Sequence, residues 1–171
     1  MEIREVLPDE HGALGELTVD AYADVHPADD LDDYATELRD VATRAAADLV
    51  LVAADGDELL GGVTYVAGPG SPSAEFGDAD AAGIRMLAVA PGAQRRGVGG
   101  ALTRACIDRA RAAGRAQVVL HSTDAMTAAH RLYERLGFRR DPTMDQVVGD
   151  RLWLRGFRLR LDGAGSSGRG A

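Results

Sequence analysis

Ile84-Arg85-Met86-Leu87-Ala88-Val89-Ala90-Pro91-Gly92-Ala93-Gln94-Arg95-Arg96-Gly97-Val98-Gly99-Gly100-Ala101-Leu102 is the stretch on which the fold is decided. It reads as a buried strand from Gly83 to Ala90, a turn at Pro91-Gly92, and a helix after Gln94 that runs to about Ala113. Gly97, Gly99 and Gly100 crowd the start of that helix, and each disfavours helix by roughly 1 kcal/mol relative to Ala. Glycine there lets another group approach the backbone closely. A helix N-terminus offers unpaired N–H groups and about half a positive charge, which makes it an anion site. Arg95 and Arg96 add fixed charge at the same place. The stretch therefore predicts a phosphate-bearing ligand at a strand-to-helix turn.

Working outward, the upstream half predicts a strand over Glu2–Leu7, a helix from about Glu10 to Asp24 capped by Asp9, and a second helix over Asp32–Ala47. Its inner stripe is Tyr34, Leu38, Val41 and Ala45. Asp48–Ala54 is a nearly all-apolar strand, Asp55-Gly56-Asp57 a hairpin turn, and Glu58–Ala67 the returning strand. Gly68–Ala82 is a surface loop. Downstream, Gln117–His121 is a strand, Asp124 caps a helix over Ala125–Leu136, and two strands follow, one from Phe138 and one over Arg151–Leu161. Residues 1–161 form one α/β domain, a mixed, mostly antiparallel sheet flanked by helices in the order β-α-α-β-β-β-α-β-α-β-β. The Gly/Ser-rich tail 162–171 is disordered.

Composition narrows the function classes. The net charge is −8, and it is unevenly held: residues 1–84 carry 20 Asp and Glu against 3 Arg, residues 85–171 carry 7 against 16, and there is no lysine. Overall acidity excludes a nucleic-acid partner of the non-specific kind, which needs a basic surface. The split suggests an anionic ligand on the C-terminal half and a cationic one near the N-terminal half. No apolar run reaches the roughly 20 residues of a membrane span, and one cysteine, Cys106, permits no internal disulfide. A cytoplasmic protein, with no membrane partner, is expected. Cys106 falls on the inner face of its helix and reads as a buried hydrophobe. His11, His26 and His130 lack ligand-like spacing, so no metal site is expected.

Two phosphate loops fail on the residues. A dinucleotide site wants G-x-G-x-x-G in the first βα unit, and Gly97-Val98-Gly99-Gly100-Ala101-Leu102 lacks the third glycine and lies mid-chain. A P-loop wants lysine. The run Gln94-Arg95-Arg96-Gly97-Val98-Gly99 instead resembles the Q/R-x-x-G-x-G/A signature of the Gcn5-related N-acetyltransferases (GNAT), preceded as in that family by a strand, here Met86–Val89. Ala129-His130-Arg131-Leu132-Tyr133-Glu134-Arg135-Leu136-Gly137-Phe138 resembles the second signature, A-x-x-L-Y-x-x-x-G-F. The resemblance in element order extends from Glu2 to Leu161.

The resemblance implies acetyl-CoA as co-substrate and direct transfer of its acetyl group to a primary amine. It implies pyrophosphate contacts from the backbone of Arg95, Arg96, Gly97, Val98, Gly99 and Gly100. Leu87, Ala88 and Val89 would pair with the pantetheine arm beside a β-bulge that the sequence itself does not display. Tyr133 occupies the position of the general acid, and a phenol of pKa about 10 holds its proton at neutral pH; core packing is its other reading. The Val89 N–H is the implied oxyanion donor. His121 is the candidate base, with Glu75, Asp78 and Asp80 as rivals. Met126 stands where the family often has asparagine. The acceptor is a small-molecule amine or a peptide or protein amine, with the acidic half, Tyr22, Tyr34 and the loop His26–Asp33 favouring a cationic one; the protein is expected to be a monomer or homodimer. A non-catalytic acyl-CoA sensor, another acyl donor and a hydroxyl acceptor remain as alternatives.

Overall fold

The computed structural model describes residues 1–27, 31–148 and 152–161, so the tail at 162–171 and residues 28–30 of the acidic loop lie outside the described residues. Polar–apolar alternation forms β1 (Glu2–Glu5), followed by a 3-10 turn (Pro8–Glu10) and α1 (His11–Ala23). Then come α2 (Asp32–Arg39), α3 (Val41–Ala47), β2 (Leu49–Asp55), β3 (Glu58–Val66), β4 (Ala81–Val89), α4 (Val98–Ala112), β5 (Gln117–Thr123) and α5 (Thr127–Arg135). Three strands close the chain: β6 (Arg139–Arg140), β7 (Gln146–Val148) and β8 (Leu152–Arg160). The sheet runs β1-β2-β3-β4-β5-β8-β6, with β7 also on β8; among the described residues only β4 and β5 pair in parallel. This is the expected mixed, mostly antiparallel sheet in one α/β domain. Alternation along β2 puts Leu51 and Ala53 under α4, with Val98, Leu102 and Cys106, and turns Val50 and Val52 to the opposite face with Leu14 and Val41.

Several boundaries differ from the sequence expectation, each for an identifiable physical reason; at the first helix Asp9 lies inside the 3-10 turn and Glu10, not Asp9, takes the cap position of α1. The single helix over 32–47 is two helices. Asp40 leaves helical geometry (φ −79°, ψ 65°) and its carboxylate accepts the Thr43 N–H at 3.1 Å, capping α3. The break lets fully buried Leu38 pack with Tyr22 and Met86 while Val41 packs with Val6 and Leu14. Buried Arg44 then closes α2 by donating to the carbonyls of Glu37 (2.6 Å) and Leu38 (3.1 Å). The helix expected after Gln94 starts only at Val98, because Arg95 (φ 62°) and Gly97 (φ 81°) are left-handed. Asp124 does not cap α5; it pairs with Arg155, and Met126 takes the cap position. The two C-terminal strands are three, because Pro142 cannot donate to a ladder and residues 142–144 turn, with Asp141 accepting the Thr143 N–H.

At the N-terminus, Arg4 makes two hydrogen bonds to Glu10 (2.9 and 2.6 Å), which also accepts the Leu7 N–H (2.8 Å). The Arg4 hydrogen bonds lower the Glu10 carboxyl from its ordinary 4.5 to about 2. A depressed carboxyl contributes stability above its unfolded value, lost as pH falls through its folded value. Wild type should therefore lose on the order of 1 kcal/mol, allowing for solvent screening, between about pH 4.5 and 2. Glu10→Gln should remove that increment, measured as the difference in urea midpoints across the window.

What positions the site is a defect in β4. Gly62 faces Ala88 and Thr64 faces Arg85, so three steps on β4 match two on β3. The extra residue is a bulge in which Met86 adopts φ 51°. Strict alternation would keep Ile84 and Met86 on one face. Instead Ala82 and Ile84 pack under α4, Met86 turns to Tyr22, Leu31 and Leu38, and Leu87 and Val89 return to the α4 side.

Candidate active site

Pairing of β4 with β5 covers only Ala81–Ile84 against Gln117–Leu120. Beyond Ile84 the strands separate, while β5 continues to Thr123 on β8. The bulge falls where the separation starts. Ala90 donates to Leu60 on β3 (2.9 Å), so by alternation Ala88 also faces β3. The Ala88 carbonyl indeed lies 2.5 Å from where a Cβ on Gly61 would stand. The N–H and C=O of Leu87 and Val89 therefore point into the opening between the strands.

At one end of this open edge stands the turn into α4. The Ala101 N–H returns to Gly97 (3.0 Å), and no side chain caps the helix, so the N–H groups of Val98, Gly99 and Gly100 are the free donors of the first turn. No acidic residue lies in that turn. Gly97 holds its left-handed φ in open space, while a Cβ on Gly99 would meet Leu132 of α5 at 3.3 Å. Arg95 and Arg96 are exposed beside it.

At the other end is a cavity of about 270 Å³. Tyr22, Tyr34, Met86, Met126 and Leu154 supply apolar wall, and Glu37, Glu75, Arg85 and His121 supply charge and hydrogen bonding. Arg85 Nη2 reaches Glu75 at 2.8 Å and Glu37 at 3.3 Å. His121 Nε2 donates to the Met144 carbonyl at 2.8 Å, and its Nδ1 lies 3.6 Å from Glu75 Oε2. Burial pushes the Tyr22 phenol well up and Tyr34 up to about 12, so both keep their protons.

A strand edge with free amides, running from a helix N-terminus with free donors to a cavity, could hold a long phosphorylated co-substrate. The profile of the Acetyltransferase (GNAT) family matches residues 13–138. The chain belongs to this family. The same architecture recurs in YncA of Salmonella typhimurium, solved with its cofactor acetyl-CoA (24% identity, TM-score 0.67, covering 99% of this chain and 98% of that one). It recurs in the PaiA N-acetyltransferase of Thermoplasma acidophilum in complex with coenzyme A (14%, 0.70, 94% and 98%). A third example is the ribosomal-protein-alanine N-acetyltransferase of Brucella melitensis (22%, 0.68, 94% and 100%). Mycothiol acetyltransferase of Streptosporangium roseum is 46% identical over 57 residues, a third of this chain and 17% of that protein's length.

In this GNAT chain the candidates named from sequence are not all brought together. Leu87, Val89 and the 95–100 turn share the open edge, and Ala88 is turned to β3. His121 and Glu75, weighed as rivals, lie side by side. Asp78 instead pairs with Arg158 (3.3 Å) and Asp80 accepts from Gln117 (2.7 Å), neither lining the cavity. Tyr133 is buried between Phe138 and Phe157 (ring centroids 5.7 and 5.8 Å apart) and is not among the cavity-lining residues. Burial raises its phenol far above the ordinary value, so it stays protonated. Cys106 is buried, its thiol pushed up to about 12, which fits packing and not nucleophilic chemistry. Among the described residues no group of three or more His, Cys, Asp or Glu could hold a metal, and no helix is long and apolar enough to cross a membrane. Sequence reasoning passed over Arg85 and Glu37. The signal for Arg85 was a charge inside an apolar strand, a placement rare without a partner.

Proposed function

We propose that this GNAT acetyltransferase is an N-acetyltransferase that uses acetyl-CoA and acts on a primary amine held in the cavity of Tyr22, Tyr34 and Glu75. The observation that carries the reading is the free edge of Leu87 and Val89, which joins the first turn of α4 to that cavity. The N–H groups of Val98, Gly99 and Gly100, with Arg95 and Arg96, hold the pyrophosphate. Leu87 and Val89 hold the pantetheine arm as a strand would. Acetyl-CoA supplies the activated thioester. The Val89 N–H stabilises the oxyanion that forms on the acetyl carbonyl, and Tyr133 offers its phenolic proton to the leaving sulfur.

The cavity modifies the expectation of a cationic acceptor. Its carboxylates, Glu37 and Glu75, both lean on Arg85, so the site suits one ammonium on an apolar body better than a polycation. The test is thiol release from acetyl-CoA with a panel of 2-phenylethylamine, spermidine and an alanine-terminated peptide, beside 2-phenylethanol as hydroxyl control. Faster turnover of 2-phenylethylamine than of spermidine is expected, with the amide confirmed by mass. Tight acetyl-CoA binding without turnover of any amine would instead favour a sensor.

A further inference from the structure

The cavity contains a polar chain that packing alone does not require: Glu37, Arg85, Glu75, His121 and the Met144 carbonyl follow one another at 3.3, 2.8, 3.6 and 2.8 Å. A carbonyl only accepts, so His121 carries its proton on Nε2 in the neutral ring, and that proton is committed to Met144. The nitrogen left to take a proton is Nδ1, which faces Glu75 Oε2. His121 is nearly enclosed, its side chain 5% exposed, whereas Glu75, at 27%, is the more open member of the pair. Glu75 is also held in place. Its neighbour Phe76 is seated on Gly83, where a Cβ would come 2.5 Å from the ring, and Arg85 grips its other oxygen.

We infer that Glu75 and His121 are one proton acceptor for the acceptor ammonium, with Arg85 as the residue that positions Glu75. This rests on the transferase reading. The ammonium R–NH3⁺ gives a proton to Glu75, which passes it to His121 Nδ1. The 3.6 Å gap is of the kind that shortens when a ligand excludes water from such a pair. The neutral amine forms the N–C bond to the acetyl carbon; the C–S bond breaks with its electron pair on sulfur. The second proton lost by nitrogen balances the one taken by sulfur, and the proton on His121 returns to solvent. The other titratable or charged groups facing the pair are Tyr22 from α1, Tyr34 and Glu37 from α2, and Arg85 from β4. The two phenols keep their protons, and Glu37 and Arg85 stay paired.

Two measurements test the pair. In the full chain, without acceptor, ¹⁵N imidazole spectra should show His121 protonated at Nε2, with an Nδ1 signal that moves in Glu75→Gln while Nε2 does not. Protonation at Nδ1 alone, or an Nδ1 signal indifferent to Glu75→Gln, would overturn the pairing. In thiol-release assays with the fastest amine of the panel, Glu75→Gln and His121→Gln should each lower kcat/KM about 10²-fold near neutrality. The double variant should fall little further, since the two act as a unit. In the variants log kcat/KM should climb with unit slope toward the ionisation of the free amine, because only amine already neutral reacts. Glu75→Asp should recover part of the rate. Wild-type rates and profile in both single variants would sink the pair and leave the transferase reading standing. No thiol release from any amine, with the imidazole signature intact, would sink the transferase reading and the catalytic use of the pair with it.

Discussion

Tyr133→Phe is expected to lower kcat about 10²-fold while the dissociation constant for acetyl-CoA changes less than about twofold. The substitution is unusually clean here. The ring packs between Phe138 and Phe157, and phenylalanine keeps those contacts. Among the described residues the hydroxyl has no hydrogen-bond partner; burial is the main cause of its upward shift, with Cys106 adding to it. Removing a hydroxyl that makes no hydrogen bond within the described protein costs the fold little, so Tm should change little. A fall in kcat therefore reports the loss of a donor that acts as the thiolate departs. Because the phenol stays protonated well beyond neutrality, Tyr133 should contribute no alkaline limb to the wild-type rate profile below about pH 10. An unchanged kcat would return Tyr133 to the core.

Reversing both exposed arginines of the turn should act on the other substrate constant. In Arg95→Glu/Arg96→Glu the KM for acetyl-CoA should rise roughly 10²-fold at low ionic strength with kcat nearly unchanged. Each unit of charge about 5 Å from a phosphate is worth about 0.8 kcal/mol in water, and four units change. Salt should shrink the difference to about tenfold near 0.5 M, where the screening length falls toward 4 Å. Both side chains are solvent-exposed, so a loss of stability of comparable size is not expected. A KM that ignores both the double variant and salt would place the phosphates elsewhere.

Element types and their order were legible because hydrophobic periodicity and glycine punctuation are local signals. The nearly all-apolar run Asp48–Ala54 reads as a strand, and Cys106 falls on the inner face of its helix. What escaped was set by tertiary partners. The Asp40 break depends on two separate clusters pulling Leu38 and Val41 apart. The late start of α5 depends on Arg155, thirty-one residues downstream, drawing Asp124 away. Within the site, the glycines and arginines of the turn announced an anion site. The bulge at Met86 did not announce itself, since nothing in Arg85-Met86-Leu87 marks a left-handed residue. His121 and Glu75 could each be suspected as a base, but 46 positions separate them in sequence, and only the fold makes them neighbours.

We propose that the gap between β4 and β5 and the first turn of α4 form one continuous acetyl-CoA site. Titrating acetyl-CoA into the ¹⁵N-labelled chain and following backbone amides tests it most directly. The largest shifts should fall together on Val98, Gly99 and Gly100 and on Leu87 and Val89, saturating with one dissociation constant, while Ala88, hydrogen-bonded toward β3, moves less. Saturable binding that leaves Leu87, Val89 and the 98–100 amides unmoved would place acetyl-CoA elsewhere on the protein.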